Sequence, residues 1–316
     1  MNLHLRHRAA LLCLPALALA LAACGGSSSS DDGKTRESTS FGVKATGTFG
    51  EKPDLTIPSG TAPTELKSEV LGEGDGKAVA SGQTLVVNYL GQTWKPKDGK
   101  EKVFDNSFDR GQPAGFQIGT GNVIPGWDTV LVGKKIGSRV LMSVPPEQAY
   151  GKKGEAKDGQ QEHELAGETL VFVVDILDSL DKDLAADGEP ATGSLPSGFP
   201  KVSSEPGKKP TITSVEGVKA DSSPGSALLL TGRGETIDAK KSLAMELIQT
   251  DAATGKQTQQ TWGRALELVP ASQVLSVATA LKDQKVGSRA VAVVPGQSGS
   301  SASEATVLVI DIIGQY

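Results

Sequence analysis

From residue 42 onward the chain reads as short apolar, β-branched runs separated by clusters of glycine, proline and charge. The runs "TLVVNYL" (84–90), "RVLMSVP" (139–145) and "TLVFVVDIL" (169–177) have strand length and turn residues at their ends, which predicts strands. One segment keeps a different period. In "PGWDTVLVGKK" (125–135), Trp127, Val130 and Leu131 recur at helical spacing on one face. Pro125 suits a first helical turn, Asp128 complements the helix start, and Gly133 marks the stop. Many short strands with one short helix predict an α+β fold in which the helix packs on a sheet.

The pattern occurs twice. "GEKPDLTI" (50–57) returns as "GKKPTITS" (207–214), and "GQTLVVNYLG" (82–91) aligns with "KKSLAMELIQ" (240–249). "KKIGSRVLMSVPP" (134–146) matches "QKVGSRAVAVVPG" (284–296), and "TLVFVVDIL" matches "TVLVIDII" (306–313). The stretch between the copies, rich in glycine, proline, serine and charge, reads as a linker. The expected organisation is a leader at 1–23, a tether at 24–41, a first domain at 42–180, a linker at 181–198 and a second domain at 199–316.

The leader has a short basic start (Arg6, Arg8) and an apolar run too short to span a membrane as a helix, which marks an export signal. Its end, "LAAC" (21–24), resembles a bacterial lipobox, implying cleavage before Cys24 and diacylation of its thiol. An ordinary secretory signal is the competing reading, and the polar tether that follows at once favours the lipid anchor. Location is then expected at the outer face of the cell membrane.

Losing Arg6 and Arg8 with the leader takes the formal charge from −5 to −7, a poor balance for nucleic acid or anionic lipid. Only one of the three histidines, His163, and one of the two cysteines, Cys24, would remain. That leaves no Cys/His metal site, no disulfide and no Cys–His nucleophile. Neither a G-x-S-x-G elbow nor a G-x-x-x-x-G-K-[ST] loop is present, and "GEGDG" (72–76) reads as a turn. No cofactor or metal is expected.

Four motifs in order, "VVNYLG", "VFDNSFDR", "NVIPGWDTVLVGKKIGSR" and "PPEQAYG", closed by "ETLVFVVDIL", make the first copy resemble an FKBP-type peptidyl-prolyl cis-trans isomerase over about residues 50–180. The resemblance implies an antiparallel half-barrel sheet wrapped round the short helix, with the substrate proline held in an aromatic pocket between them. It implies Trp127 as pocket floor, Tyr89, Phe104, Phe116 and Phe172 as walls, Val123 and Ile124 as a lip, and Tyr150 overhanging. Asp105 and Arg110 are expected to pair and to steady Tyr89. The residues alone leave a core role open for Tyr89 and Phe172, and a turn-capping role open for Asp105. Trp127 is a costly choice for plain packing, because its indole N–H needs a partner.

Such a pocket needs no nucleophile. The barrier to rotation about a peptide bond, roughly 18–20 kcal/mol, comes from C–N double-bond character, and a dry apolar site favours the less dipolar twisted amide. Proline-containing unfolded or exported polypeptides are the expected partners. Macrolides are a further expected ligand class, with Ala114 and the long charged loop after Tyr150 as departures from the family pattern.

In the second copy Tyr89 aligns with Leu247, Trp127 with Val277 and Phe172 with Leu308, and no tyrosine replaces Tyr150. The expectation is a second FKBP-like domain without isomerase activity. The whole chain then reads as two tandem domains of a lipoprotein that speeds the folding of exported proteins. A non-catalytic, chaperone-like binder of polypeptide is the alternative.

Overall fold

The computed structural model describes residues 38–95, 103–155, 161–219, 224–296 and 305–316. The leader, Cys24 and most of the tether lie outside the described residues.

A small sheet comes first, of β1 (Ser38–Ser40), β2 (Val43–Ala45) and β3 (Leu55–Thr56). The first large sheet holds β4 (Lys67–Gly72), β5 (Thr84–Thr93), β6 (Val103–Asn106), β7 (Ala114–Gln117), β8 (Arg139–Val144) and β9 (Leu170–Leu180). Helix α1 (Ser107–Arg110) follows β6, and α2 (Pro125–Leu131) lies between β7 and β8. After β9 come β10 (Glu189–Pro190), the hairpin of β11 (Lys201–Ser203) and β12 (Thr211–Ser214), and then β13 (Gly225–Thr231). The chain ends with β14 (Ser242–Asp251), β15 (Gln257–Gln260), β16 (Glu267–Pro270), α3 (Ala271–Val277), β17 (Arg289–Val294) and β18 (Thr306–Gln315).

The first large sheet is antiparallel in the order β4-β8-β9-β5-β6, with β7 sharing the outer edge of β5. Residues 84–87 of β5 pair with β7 and residues 90–92 pair with β6. The second large sheet repeats this plan as β13-β17-β18-β14-β15, with β16 on β14 in the place of β7.

Burial explains the continuous apolar runs of β8 and β9, because each strand is covered on both faces. On one face Trp127, Val130 and Leu131 of α2 pack against Leu85, Val87, Val140, Met142 and Val174. The small sheet covers the other face, bringing Val43 and Ala45 against Leu141, Val171 and Val173. In the second half α3 and the β11–β12 hairpin cover the two faces in the same way.

A buried ion pair stands at matching places in both sheets. Arg139 donates to both carboxylate oxygens of Asp175 at 2.6 and 2.7 Å, and its guanidinium also reaches the Glu51 carbonyl at 2.6 Å. Arg289 grips Asp311 at 2.5 and 2.7 Å and reaches the Lys208 carbonyl at 2.6 Å. The pairing of Glu51 with Lys208 is the one that the sequence repeat prescribes.

Three local readings change. Residues 38–40, within the expected tether, form a strand of the small sheet. The expected linker is tied into the second sheet: β10 pairs with β13, and the Ala186 N–H donates to Asp311 at 2.7 Å. In α3, Val277 is exposed and Ala271 and Val274 are the buried residues. Here β16 runs straight into α3, whereas seven residues separate β7 from α2, so the helix register slips between the copies.

Candidate active site

The middle of β5, strands β6 and β7, the start of β9, the start of α2 and the segment after β8 at Ala149 and Tyr150 meet around a pocket of about 400 Å³. Trp127 lies at its base, 4% exposed, with its ring edge-to-face against Tyr89 (5.4 Å between centroids), Phe116 (5.3 Å) and Phe172 (5.4 Å). Phe104 packs edge-to-face on Phe172 at 5.6 Å and closes the wall from β6. The edge-to-face geometry sets the positive ring edges on neighbouring π faces, which fixes each ring's orientation as well as its position. The Trp127 indole N–H has no hydrogen-bond acceptor among the described residues.

Gly91 makes the wall compact. A Cβ there would lie 2.7 Å from the Phe104 ring and 2.8 Å from the Phe172 ring, so any side chain would push both aromatics into the pocket.

The lip is a loop braced by the helix it precedes. Both carboxylate oxygens of Asp128 accept backbone N–H groups, from Gly119 at 2.6 Å and from Gly121 at 2.7 Å. Gly119 adopts φ +75°, where a side chain would be strained. This bracing sets Asn122, Val123, Ile124 and Pro125 at the pocket rim. Ile124 caps α2 through its carbonyl, which accepts the Trp127 N–H at 2.9 Å, while its own N–H has no acceptor among the described residues.

A polar corner stands beside the apolar floor. The Tyr89 hydroxyl donates a short hydrogen bond to Asp105, Arg110 donates a second short bond to the other Asp105 oxygen, and Arg110 also reaches the Tyr89 hydroxyl at 3.3 Å. Asn106 holds Arg110 in range by capping α1: its side chain accepts the N–H groups of Phe108 and Asp109. Burial, reinforced by the bond to Asp105, pushes the Tyr89 phenol up to about 12. Burial also works to raise the Asp105 carboxyl, but the hydrogen bonds from Tyr89, Arg110 and the Asn106 N–H outweigh it and hold the group below the usual carboxylate range.

Tyr150 stands over the opening, 40% exposed. Its ring stacks flat on His163, at 3.6 Å between centroids and 6° between planes. Burial, with the Asp105 charge adding to it, raises the Tyr150 phenol above its ordinary value. His163 receives the Leu165 N–H on Nδ1 at 3.2 Å. Sequence reasoning gave His163 no such place, since nothing in the spacing of a charged loop indicates a stacked ring.

The structure thus brings Tyr89, Phe104, Asp105, Phe116, Val123, Ile124, Trp127, Tyr150 and Phe172 to one pocket. Arg110 lies behind it, bonded to Asp105 and Tyr89. Asn122 and Ala149 also line the pocket. They were not singled out from the sequence, where short polar and small loop residues carry no chemical signal. Ala114 packs against the same core cluster as Phe116 but is not part of this lining.

The family model for FKBP-type peptidyl-prolyl cis-trans isomerase matches residues 76–177, the span that contains this pocket. An FK506-binding protein of Streptomyces anulatus is 41% identical over 127 residues, which are 40% of this chain and 96% of that one. The chain belongs to the FKBP-type peptidyl-prolyl cis-trans isomerase family. A probable FK506-binding protein of Corynebacterium glutamicum is 36% identical over 127 residues, 40% of this chain and 98% of that one. The crystal structure of FkpA from Escherichia coli matches at 39% identity and TM-score 0.30, covering 40% of this chain and 51% of that chain. The family-model match lies in the first half of the chain.

The pocket can do what isomerisation requires. An apolar floor of this size can accept a ring such as proline's and exclude water, and isomerisation asks only that the amide lose planarity. The Ile124 N–H and the Tyr150 hydroxyl stand at the rim as donors. Isomerisation needs no proton transfer, and Asp105 is bonded to Tyr89 and Arg110.

Proposed function

We propose that the chain is a lipid-anchored isomerase that speeds proline-limited folding of exported proteins at the outer face of the cytoplasmic membrane, with the pocket around Trp127 as its catalytic site. The observation that carries the catalytic part is the Trp127 ring, held edge-to-face by three aromatics at the base of a pocket whose rim bears free donors. Proline isomerisation takes tens of seconds unaided, which makes it a slow step for chains folding outside the cell. The anchor rests on the leader and "LAAC" ending at Cys24.

The second half is proposed as an FKBP-like domain without isomerase activity. Supporting this are the repeated strand order and the matching pair of Arg289 with Asp311. The lip loop is missing there, and the buried helix residues are Ala271 and Val274, with no tryptophan in the helix. A macrolide would occupy the same pocket as the proline, competing with it.

The test is catalysis of cis-to-trans isomerisation of an Xaa-Pro tetrapeptide by the chain from residue 38, beside its Trp127→Leu variant. Leucine preserves an apolar packing group but removes the indole floor. Substoichiometric acceleration, cut about tenfold or more by the substitution (about 1.4 kcal/mol of transition-state stabilisation) with the fold intact, is expected. A chain that binds unfolded protein but accelerates no isomerisation makes the chaperone-like binder the right reading. Loss of membrane association and of fatty-acid labelling in Cys24→Ser tests the anchor.

A further inference from the structure

A second concavity, of about 760 Å³, lies between the two halves. One bank is Pro113 with β7, and the other is the segment Gly263–Val269 that leads into and along β16. Asn122 lines both this groove and the proline pocket, so the two form one continuous surface that turns around the lip. We propose that the groove holds the extended polypeptide flanking the substrate proline, so that the second half serves as part of the substrate-binding surface of the first. This rests on the isomerase reading of the pocket.

Three features select an extended polypeptide. First, β7 is hydrogen-bonded only to β5 and β16 only to β14, so each strand keeps one edge of backbone N–H and C=O groups without a strand partner among the described residues. Such edges recognise an extended chain through its backbone, whatever its side chains. Second, the banks are held at a fixed separation. The Leu266 N–H donates to Thr84 Oγ1 at 2.9 Å, and Leu268 leans over β7 so closely that a Cβ on Gly115 would lie 3.1 Å from it. Third, the groove mixes apolar residues such as Leu268 with single charges of opposite sign, Arg264 and Glu267, which form no ion pair among the described residues. That mixture suits a polypeptide of varied sequence better than an anion or a lipid. The lip loop that would have built a proline pocket in the second half is missing, so β16 is free to act as a bank rather than as a wall.

The experiment compares two substrates on the chain from residue 38. One is an Xaa-Pro tetrapeptide. The other carries the same centre extended on each side by about six residues with acidic side chains, about 20 Å of extended chain per side. Two variants are used: Ala265→Trp, which fills the groove, and Arg264→Glu, an exposed change that leaves packing alone. The extended peptide is expected to show a KM about tenfold below that of the tetrapeptide, and both variants are expected to erase most of that gain. The tetrapeptide constants should stay unchanged. If extension brings no gain, or if Arg264→Glu and a folded Ala265→Trp both leave the gain intact, the groove is not a substrate surface. Concentration-dependent doubling of mass, abolished by Ala265→Trp with no extension gain in the wild type, would assign the groove to a second copy of the chain and overturn the proposal. If the tetrapeptide is not isomerised at all, the pocket reading fails by itself. Fluorescence anisotropy of the labelled extended peptide then still decides the groove, with tighter binding by the wild type than by Arg264→Glu expected.

Discussion

The Tyr89 hydroxyl ties the aromatic wall to the polar corner, and its loss separates those two functions. In Tyr89→Phe the ring contacts with Phe116 and Trp127 persist, while Asp105 keeps Arg110 but loses its second side-chain donor. A hydrogen bond to a charged group contributes about 1.5–3 kcal/mol, reduced here because Asp105 is partly exposed, so kcat/KM on a tetrapeptide should fall by roughly fivefold rather than vanish. The ionisation states set the pH range in which this can be measured. The raised Tyr89 phenol gives stability that is fully present below the unfolded value of about 10 and is lost as pH rises through about 12. The lowered Asp105 carboxyl gives stability present above the unfolded carboxylate value of about 3.9 and lost as pH falls through its own lower value. From about pH 8 to 10, well above the Asp105 range and below the Tyr89 value, the wild-type rate constant should therefore be flat. A step within that window in a stopped-flow series would mean that Tyr89 ionises early and that its bond to Asp105 is weaker than the geometry indicates.

At the scale of elements, the lip is held in place by α2 rather than by its own residues. Asp128→Asn keeps one acceptor oxygen but sets an amide N–H₂ against a backbone N–H, so one of the two bonds to Gly119 and Gly121 is lost. The helix itself should persist, since Trp127, Val130 and Leu131 still bury its inner face. The expected result is a KM several-fold higher with a smaller change in kcat, and faster amide exchange at Gly119 and Gly121. Unchanged exchange at both glycines would show that the loop is fixed by its own turns. Much at this scale was readable in advance. Two-sided burial produced the unbroken apolar runs of β8 and β9, and the Pro125 start with its helical spacing marked α2. What escaped was whatever depends on a partner distant in the chain. The β10 strand looks like linker because glutamate and proline have no strand preference, and only its bond to β13 makes it one. The Val277 alignment failed for a related reason: a constant spacing between copies was assumed across the place where the second copy lacks the lip. In the pocket, aromatic residues and family motifs were legible because aromatics are scarce. Asn122, Ala149 and the His163 stack were not, because their roles come from position alone.

For the whole molecule, the duplicated plan makes one substitution conspicuous. Asn88 of the first half faces Asp175 across β5 and β9, and its counterpart Glu246 faces Asp311 across β14 and β18. A neutral amide has become a carboxyl, fully buried. The Thr261 hydroxyl donates a short bond to one Glu246 oxygen, and the other oxygen has no partner among the described residues. Arg289 cannot serve Glu246, because its guanidinium is already spent on Asp311 and two backbone carbonyls. Burial pushes the Glu246 carboxyl up to about 7; the charges of Asp311 and Asp183 add to this, while Thr261 and Lys209 act against it. The native state therefore holds a proton that an unfolded glutamate would release near pH 4.3, and the sign follows. The stability contributed by this group is fully present below about pH 4.3 and is lost as pH rises through about 7, a difference of a few kcal/mol. The two halves are tied together by the Leu266 N–H on Thr84 and by the Tyr316 hydroxyl on Asp178 at 2.6 Å, so the loss should be felt beyond the second sheet. Denaturant unfolding followed from pH 5 to pH 8 should show stability falling with pH in the wild type. Glu246→Gln, which restores a neutral amide where the first half has Asn88, should flatten that fall and be the more stable protein at pH 8. An equal slope in both proteins would mean that Glu246 keeps its charge in the fold, with its free oxygen reached by water.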